Sequence, residues 1–236
     1  MNYLDALNNG NKILKANRIK NYSLDTELFL ANVLNTTREK ILISLKKNLK
    51  IKSYNRYKEL VYRRKKNEPT AYILKNKEFW KYKFFVNKHV LIPRPETEII
   101  VEEILKLISL SSTKSILDVG TGSGCIIISL IKERPNCIGT ALDICKKALI
   151  VAKYNAKMHH IRNKINFVNI DIDKFQHNKY DFIISNPPYI KKFDLKRLED
   201  NVRLFEPRLA LDAGINGLSG INKLILKSKL LLKNKG

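Results

Sequence analysis

Only three cysteines occur in 236 residues, Cys125, Cys137 and Cys145, and none of them forms a Cys-x-x-Cys pair. An odd number without that spacing makes neither a disulfide framework nor a zinc or redox site, so these thiols are expected to pack. Histidine is scarce too. His89, His159, His160 and His177 are scattered and lack the His-Glu-x-x-His pattern of a zinc hydrolase, which leaves surface or satisfied imidazoles. No apolar run approaches the ~20 residues of a membrane span. The start, Met-Asn-Tyr-Leu-Asp, has no basic region followed by an apolar stretch and a small-residue cleavage site, so a cytoplasmic chain with no membrane association is expected. Internal repeats and low-complexity linkers are missing. Acidic residues are few, 22 against 45 Lys and Arg, for a formal net charge of +23. Such a field attracts polyanions, but Lys, Asn and Ile recur in every region, as an AT-rich coding bias would produce. Direct nucleic-acid binding is therefore possible but not required.

What is present suits two units. The length exceeds the usual ~100 to 200 residues of one domain, and 44% apolar content supports a real core. The first ~70 residues read as short helices. Ser23 can cap a helix with Leu24, Leu28 and Ala31 on one face, and Ser53 another through Tyr57, Leu60 and Val61, before Pro69 ends the unit. This segment, 1–70, carries no chemistry-bearing motif and is expected to recognise a partner. Trp80-Lys81-Tyr82-Lys83-Phe84 alternates as strands do, so 71–93 is expected to hold a connecting hairpin. A single-stranded nucleic-acid platform is the less favoured reading of the same residues. From Pro93-Arg94-Pro95 a helix begins, with Ile100, Ile104, Leu107 and Ile108 on one face. Residues 115–119, 138–142, 165–170 and 180–185 read as strands, with helices at 125–132 and 146–157 between them. The alternation predicts an α/β domain over 94–236 with a doubly wound, mostly parallel sheet.

Two segments carry the chemistry. Asp118-Val119-Gly120-Thr121-Gly122-Ser123-Gly124 is a tight turn between the first strand and its helix, where backbone can approach a ligand closely. Dinucleotide folds want Gly-x-Gly-x-x-Gly, which would need glycine at Cys125. Gly-x-Gly-x-Gly preceded by Asp118 suits S-adenosyl-L-methionine better, because that ligand has no pyrophosphate but has an ammonium that Asp118 could attract. Asp143 closes the second strand, where a carboxylate can take two ribose hydroxyls. A cap for the helix starting at Cys145 is its plainer role. Asp171 closes the third strand and could meet the adenine amino group or simply cap a turn. The second segment is Asn186-Pro187-Pro188-Tyr189, at the end of the fourth strand. The Asn186 side-chain oxygen and a backbone carbonyl, that of Asn186 or Pro187, can accept the two hydrogens of a planar NH2. The prolines hold those carbonyls at low entropic cost, and Tyr189 can wall the pocket. No His or Glu adjoins the motif, and no general base is needed. On these residues alone, amide and nucleobase substrates both stay open, and no metal is expected.

These motifs resemble a family. Asp118 to Gly124, Leu-Ile-Pro-Arg-Pro-Glu-Thr-Glu at 91–98, Ser-Asn-Pro-Pro-Tyr-Ile at 185–190 and Phe-Glu-Pro-Arg-Leu-Ala-Leu at 205–211 are similar to peptide chain release factor N5-glutamine methyltransferases. The Asn-Pro-Pro-Tyr motif is shared with amino methyltransferases of DNA and RNA, and the Pro-Arg-Pro-Glu-Thr-Glu segment narrows the choice. A ribosomal-protein glutamine methyltransferase is the nearest sibling. The resemblance implies a Rossmann-like methyltransferase fold behind an N-terminal helical bundle and a connecting hairpin. It implies a monomer that methylates the glutamine of a Gly-Gly-Gln motif in peptide chain release factors. Asp118, Gly120, Thr121, Gly122, Ser123, Gly124, Asp143, Asp171 and Ile172 would hold the methyl donor, with Asn186 touching it. Asn186, Pro187, Pro188 and Tyr189 would hold the glutamine, with Asn186, Pro187 and Tyr189 nearest the reaction. Asn67 and Lys75 stand where the family has glycine, and Ile172 where an aromatic residue often packs on adenine. After Leu232-Lys233-Asn234-Lys235-Gly236 the pattern would continue with about three more strands. The domain is therefore expected to be truncated, with an exposed fourth-strand edge, uncovered apolar surface on the helix at 218–232, and reduced or no activity.

Overall fold

The computed structural model describes residues 1–176, 179–234 and 236, so His177 of the four histidines lies outside them. The chain divides into two compact units, Met1–Leu74 and Lys75–Gly236.

The first unit is helical: α1 (Tyr3–Ala16), α2 (Tyr22–Val33), α3 (Arg38–Leu42), α4 (Ile51–Lys65) and α5 (Thr70–Leu74). Asn2 and Asp5 form a reciprocal capping box at the start of α1, satisfying two backbone donors that the helix itself cannot. The expected serine caps do not form. α2 and α4 begin at or before those serines, with Asn21 and Lys50 in the cap positions, and the Ser23 hydroxyl bonds the Glu27 side chain instead. Packing rather than capping sets these helix starts: Phe29 and Leu30 turn inward with Tyr57 and Val61, while Leu24 is 42% exposed. A buried Asp25 accepts from Arg64 at 2.7 Å and from Thr70 at 2.6 Å, tying α2 to α4 and to the start of α5. Gly10 lets α1 approach α4, because a Cβ there would lie 2.1 Å from the Tyr57 hydroxyl and 2.9 Å from a Thr26 methyl.

The second unit opens with a hairpin, β1 (Lys77–Phe79) and β2 (Tyr82–Phe84), paired antiparallel. Its aromatics face inward. Phe79 and Phe84 are buried edge to face, and Trp80, Lys81 and Tyr82 converge on the Glu133 carboxylate. Their bonds to Glu133 hold these three side chains against the rest of the unit. A 3-10 turn, Pro95–Thr97, leads into α6 (Glu98–Leu107). There Val101 is buried and Leu107, expected on the apolar face, is 68% exposed, because the helix stops before Ile108, which turns inward. The remaining order is β3 (Ser115–Val119), α7 (Cys125–Glu133), β4 (Ile138–Asp143), α8 (Lys146–Met158), β5 (Ile165–Asn169), β6 (Phe182–Ser185), α9 (Asp200–Arg203) and α10 (Ser219–Leu231).

β3 to β6 form one parallel sheet in the order β5-β4-β3-β6. Val119 pairs with Leu142 on one side and Ser185 on the other, and Leu142 with Val168, so the carboxyl ends of the strands lie level. α7 is buried from Cys125 to Ile131, and its nearly all-apolar run, interrupted only by Ser129, reflects a place inside the core. β5 and β6 are the sheet edges, and Tyr180 just before β6 pairs with Leu232 while Lys233 reaches Asp181 at 2.6 Å. Ile225, Leu226 and Leu230 of α10 are exposed.

Asn67 and Lys75, the positions where the family pattern has glycine, take φ of 66° and 55°. The left-handed backbone costs roughly 1–2 kcal/mol for an ordinary side chain and less for Asn, so this chain carries strain that glycine would not. Gly10→Ala is expected to destabilise the helical unit by about 1–3 kcal/mol through overpacking against Tyr57. Urea unfolding followed by circular dichroism checks this, and an unchanged midpoint would refute the close approach.

Candidate active site

Level strand ends in a parallel sheet place their following loops side by side, and here those loops frame a cleft of about 460 Å3. The glycine loop after β3 folds back on β4: the N–H groups of Gly120 and Thr121 both donate to the Leu142 carbonyl at 2.9 Å. Gly120, Gly122 and Gly124 have φ of 73°, 56° and 81°. A Cβ at Gly120 would meet no atom within 4 Å, and one at Gly122 only the Gly120 carbonyl at 3.9 Å. The open space beside this backbone is the cradle a close-lying ligand needs. Gly124 is required for a different reason, since a Cβ there would come within 2.9 Å of Ile128 and 3.2 Å of Ala152, where α7 packs on α8.

Gly120, Thr121, Gly122, Ser123, Asp143, Asp171, Ile172, Asn186, Pro187 and Pro188 all line the cleft. Asp143 at the end of β4 accepts from the Gly122 N–H at 2.9 Å and from the Cys145 N–H at 2.8 Å. The second bond closes a turn ahead of α8, whose N-cap, Cys145, has no side-chain cap bond, so Asp143 is not the cap of that helix and faces the cleft. Burial raises its pKa while those two N–H groups oppose the rise. Asp171 accepts from the Asp173 N–H, which caps the turn Ile172–Lys174, and that turn is held to α10 by Lys223 on Asp173 at 2.7 Å.

Three residues expected at the ligands lie outside this lining: Gly124, which lets α7 pack on α8, Asp118 and Tyr189. Asp118 is beneath the glycine loop, 1% exposed, and does not line the cleft. Its Oδ2 accepts from the Thr121 hydroxyl at 2.7 Å and its Oδ1 has no hydrogen-bond partner. Burial, with a smaller contribution from the Asp143 charge, pushes its pKa up to about 7 against the Thr121 bond. Tyr189 is 67% exposed and outside the lining. The chain after Pro188 turns away to pair Ile190 with Asp212, and Gly217 sits against the Tyr189 carbonyl, so the ring is carried to the surface.

Other residues complete the site. The Asn186 amide Nδ2 donates to the Thr97 hydroxyl at 3.2 Å, leaving its Oδ1 as the free end. Arg94 binds Glu206 at 2.6 Å, and the second oxygen of this buried carboxylate accepts from the Ile92 N–H. The segments 91–98 and 205–211 are thereby one structure, although sequence separation hid their pairing. Asn155 of α8, fully buried, donates to the carbonyls of Ser123 and Phe85 and accepts from the Phe85 N–H, fastening the glycine loop to the end of the hairpin. A polar residue on the apolar face of α8 was its signal. His89, read as a surface or satisfied imidazole, lines the cleft, and burial and the nearby Lys147 and Lys88 lower its pKa. Cys125 and Cys145 line it too, and burial pushes the Cys125 thiol up to about 12. Among the described residues no group of His, Cys, Asp and Glu could hold a metal ion.

Residues 5–74 match the family described as PrmC N-terminal domain, and residues 95–202 match the methyltransferase small domain. The release factor glutamine methyltransferase of Caulobacter vibrioides is 36% identical over 94% of this chain and 78% of its own length. That of Buchnera aphidicola is 38% identical over 92% and 77%. The bifunctional methyltransferase of Rickettsia typhi is 36% identical over 98% of this chain but 48% of its own length, so the chain spans about half of that relative. In three dimensions the hMettl16 catalytic domain, solved in complex with MAT2A 3′UTR hairpin 6, is similar with a TM-score of 0.53 over 63% of this chain and 56% of that one. At 19% identity this is a likeness of fold.

The Asp118 carboxyl holds its proton to about pH 7 when folded and to about 3.8, its ordinary value, when unfolded. Its contribution to stability is therefore full below the unfolded value and is lost as pH rises through about 7. Asp118→Asn, which can still accept from Thr121, is expected to flatten the decline in unfolding free energy over that window. Urea titrations of both proteins across it check this, and equal slopes would refute it.

Proposed function

The chain belongs to the release factor glutamine methyltransferase family, and we propose that it transfers a methyl group from S-adenosyl-L-methionine to the side-chain amide nitrogen (N5) of the glutamine in the Gly-Gly-Gln motif of peptide chain release factors. One observation carries the reading to this chain: a side-chain carbonyl, Asn186 Oδ1, stands free at the end of β6 while the glycine cradle stands at the end of the adjacent β3. An acceptor for a planar NH2 thus neighbours a cradle for a donor.

The donor supplies a methyl group on a sulfonium, and the chain's residues do the rest. Gly120 and Gly122 leave open space for it beside their backbone, and Thr121 and Ser123 line the same cleft. Asp143, whose oxygens each accept one backbone N–H, keeps lone pairs for ribose hydroxyls. Ile172 offers an aliphatic face where adenine would lie, with Asp171 beside it. Asn186 Oδ1 and the Pro187 carbonyl would accept the two amide hydrogens and so hold the nitrogen for attack on the methyl group that the donor would supply. The same acceptors favour the positive charge that develops on nitrogen during attack. The alkylated nitrogen is acidic and loses its proton without a dedicated base.

The helical unit is assigned to recognition of the release factor, in a monomeric cytoplasmic protein. No helix among the described residues is long and apolar enough to cross a membrane. Binding of nucleic acid is not required for the reaction.

Incubation with a release factor and labelled donor, followed by mass spectrometry of the Gly-Gly-Gln peptide, is expected to find one added methyl on glutamine. Asn186→Ala should lower the rate by about 100-fold or more while the donor still raises the unfolding temperature as in the wild type. Near-normal turnover in that variant, or label found on RNA instead, would overturn the proposal.

A further inference from the structure

We infer that Thr97 is a positioning residue that holds the inner end of the Asn186 amide, so that its oxygen is presented to the substrate. This rests on the glutamine reading of the same site. A side-chain amide has two ends of nearly equal size, an acceptor and a donor. Only the acceptor can grip an NH2. With Oδ1 outward, Nδ2 points into the protein, where it needs a partner or becomes an unsatisfied donor. Thr97 Oγ1 is that partner, at 3.2 Å, on a residue 8% exposed.

The Thr97 hydroxyl is available because it lacks its usual employment. Thr97 is the N-cap of α6, where threonine ordinarily accepts from a backbone N–H of the first turn. No such bond forms. Its φ of −71° and ψ of −18° are already helical, since Pro95 starts a 3-10 turn two residues earlier that runs directly into the helix. A cap needs extended backbone, and this turn removes it. The turn is also fixed from outside: Arg94 before it is bound to Glu206, and Glu98 after it accepts the Trp80 N–H at 2.8 Å. Thr97 therefore has a rigid mount, a hydroxyl free of local duty, and the Asn186 amide in reach. Loss of the hydroxyl would leave the amide to rotate and spend part of its time with Nδ2 outward, lowering the fraction of bound glutamine held for attack.

Thr97→Val keeps the shape and removes the hydroxyl, and Thr97→Ser keeps the hydroxyl and removes the methyl. The expected result is a fall in kcat of about ten-fold for Thr97→Val, with the KM for S-adenosylmethionine unchanged, and recovery of most of the rate in Thr97→Ser. Wild-type kcat in Thr97→Val, or an equal loss in Thr97→Ser, would overturn the inference. The Asn186 side-chain NH2 resonance in a nitrogen-15 spectrum, identified by its loss in Asn186→Ala, gives an answer without turnover. It should shift in Thr97→Val and return toward its wild-type position in Thr97→Ser, and an unmoved resonance would overturn the inference. Were the wild type unable to methylate a release factor, the glutamine reading would fail while the spectrum still decided the role of Thr97.

Discussion

The pairing of β3 with both β4 and β6 is the constraint on which the site depends. Parallel strands in register end at one level, and Val119, flanked by Leu142 and Ser185, is where three of them stop together. Everything with chemical character follows within a few residues of that line: the glycine loop after β3, Asp143 at the end of β4, and Asn186 one residue beyond β6. The Ser185 hydroxyl donates to the Val119 carbonyl at 2.7 Å and seals the junction of the two loops. A slip of register would separate the glycine loop from Asn186.

Loops at strand ends are held less well than the strands themselves, and each here has its own anchor from a distant part of the unit. Asn155 ties the glycine loop to the hairpin, Glu206 ties Arg94 and Ile92 to the segment before α10, and Lys223 ties α10 to the turn carrying Ile172. The Lys223–Asp173 pair lies on the surface, whereas the Asn155 and Glu206 bonds are buried or partly buried, hence directional and costly to leave half made. They explain why the hairpin belongs to the same core as the sheet, through Phe79 and Phe84, instead of merely joining two parts of the chain.

Periodicity was a good guide wherever burial was one-sided or complete. The four strands and the helices α7 and α8 fall within a few residues of their expected places, because alternation and apolar runs report burial directly. Local chemistry was a poorer guide. Ser23 and Ser53 are favourable caps in isolation, yet helix starts are decided by where Phe29 and Tyr57 must point. The same limit applies to the site. Tyr189 was assigned to the pocket wall from its place in the motif, but the pairing of Ile190 with Asp212 turns it outward. Asp118 was assigned to the ligand from its place before the glycines, but strand burial puts its carboxyl under the loop with Thr121.

By itself the sequence made legible three local features: a glycine-rich turn, an acidic residue at the next strand end, and an asparagine before two prolines. Those properties are local, since backbone freedom, charge and amide geometry belong to the residues concerned. The tertiary structure alone decided which of them face one another and which are turned away. The Arg94–Glu206 pair spans 112 residues, and the bond from Asn186 to Thr97 spans 89. Contacts at such distances have no periodic trace in the chain, because the sheet and the loops between the partners, not the partners themselves, bring them together.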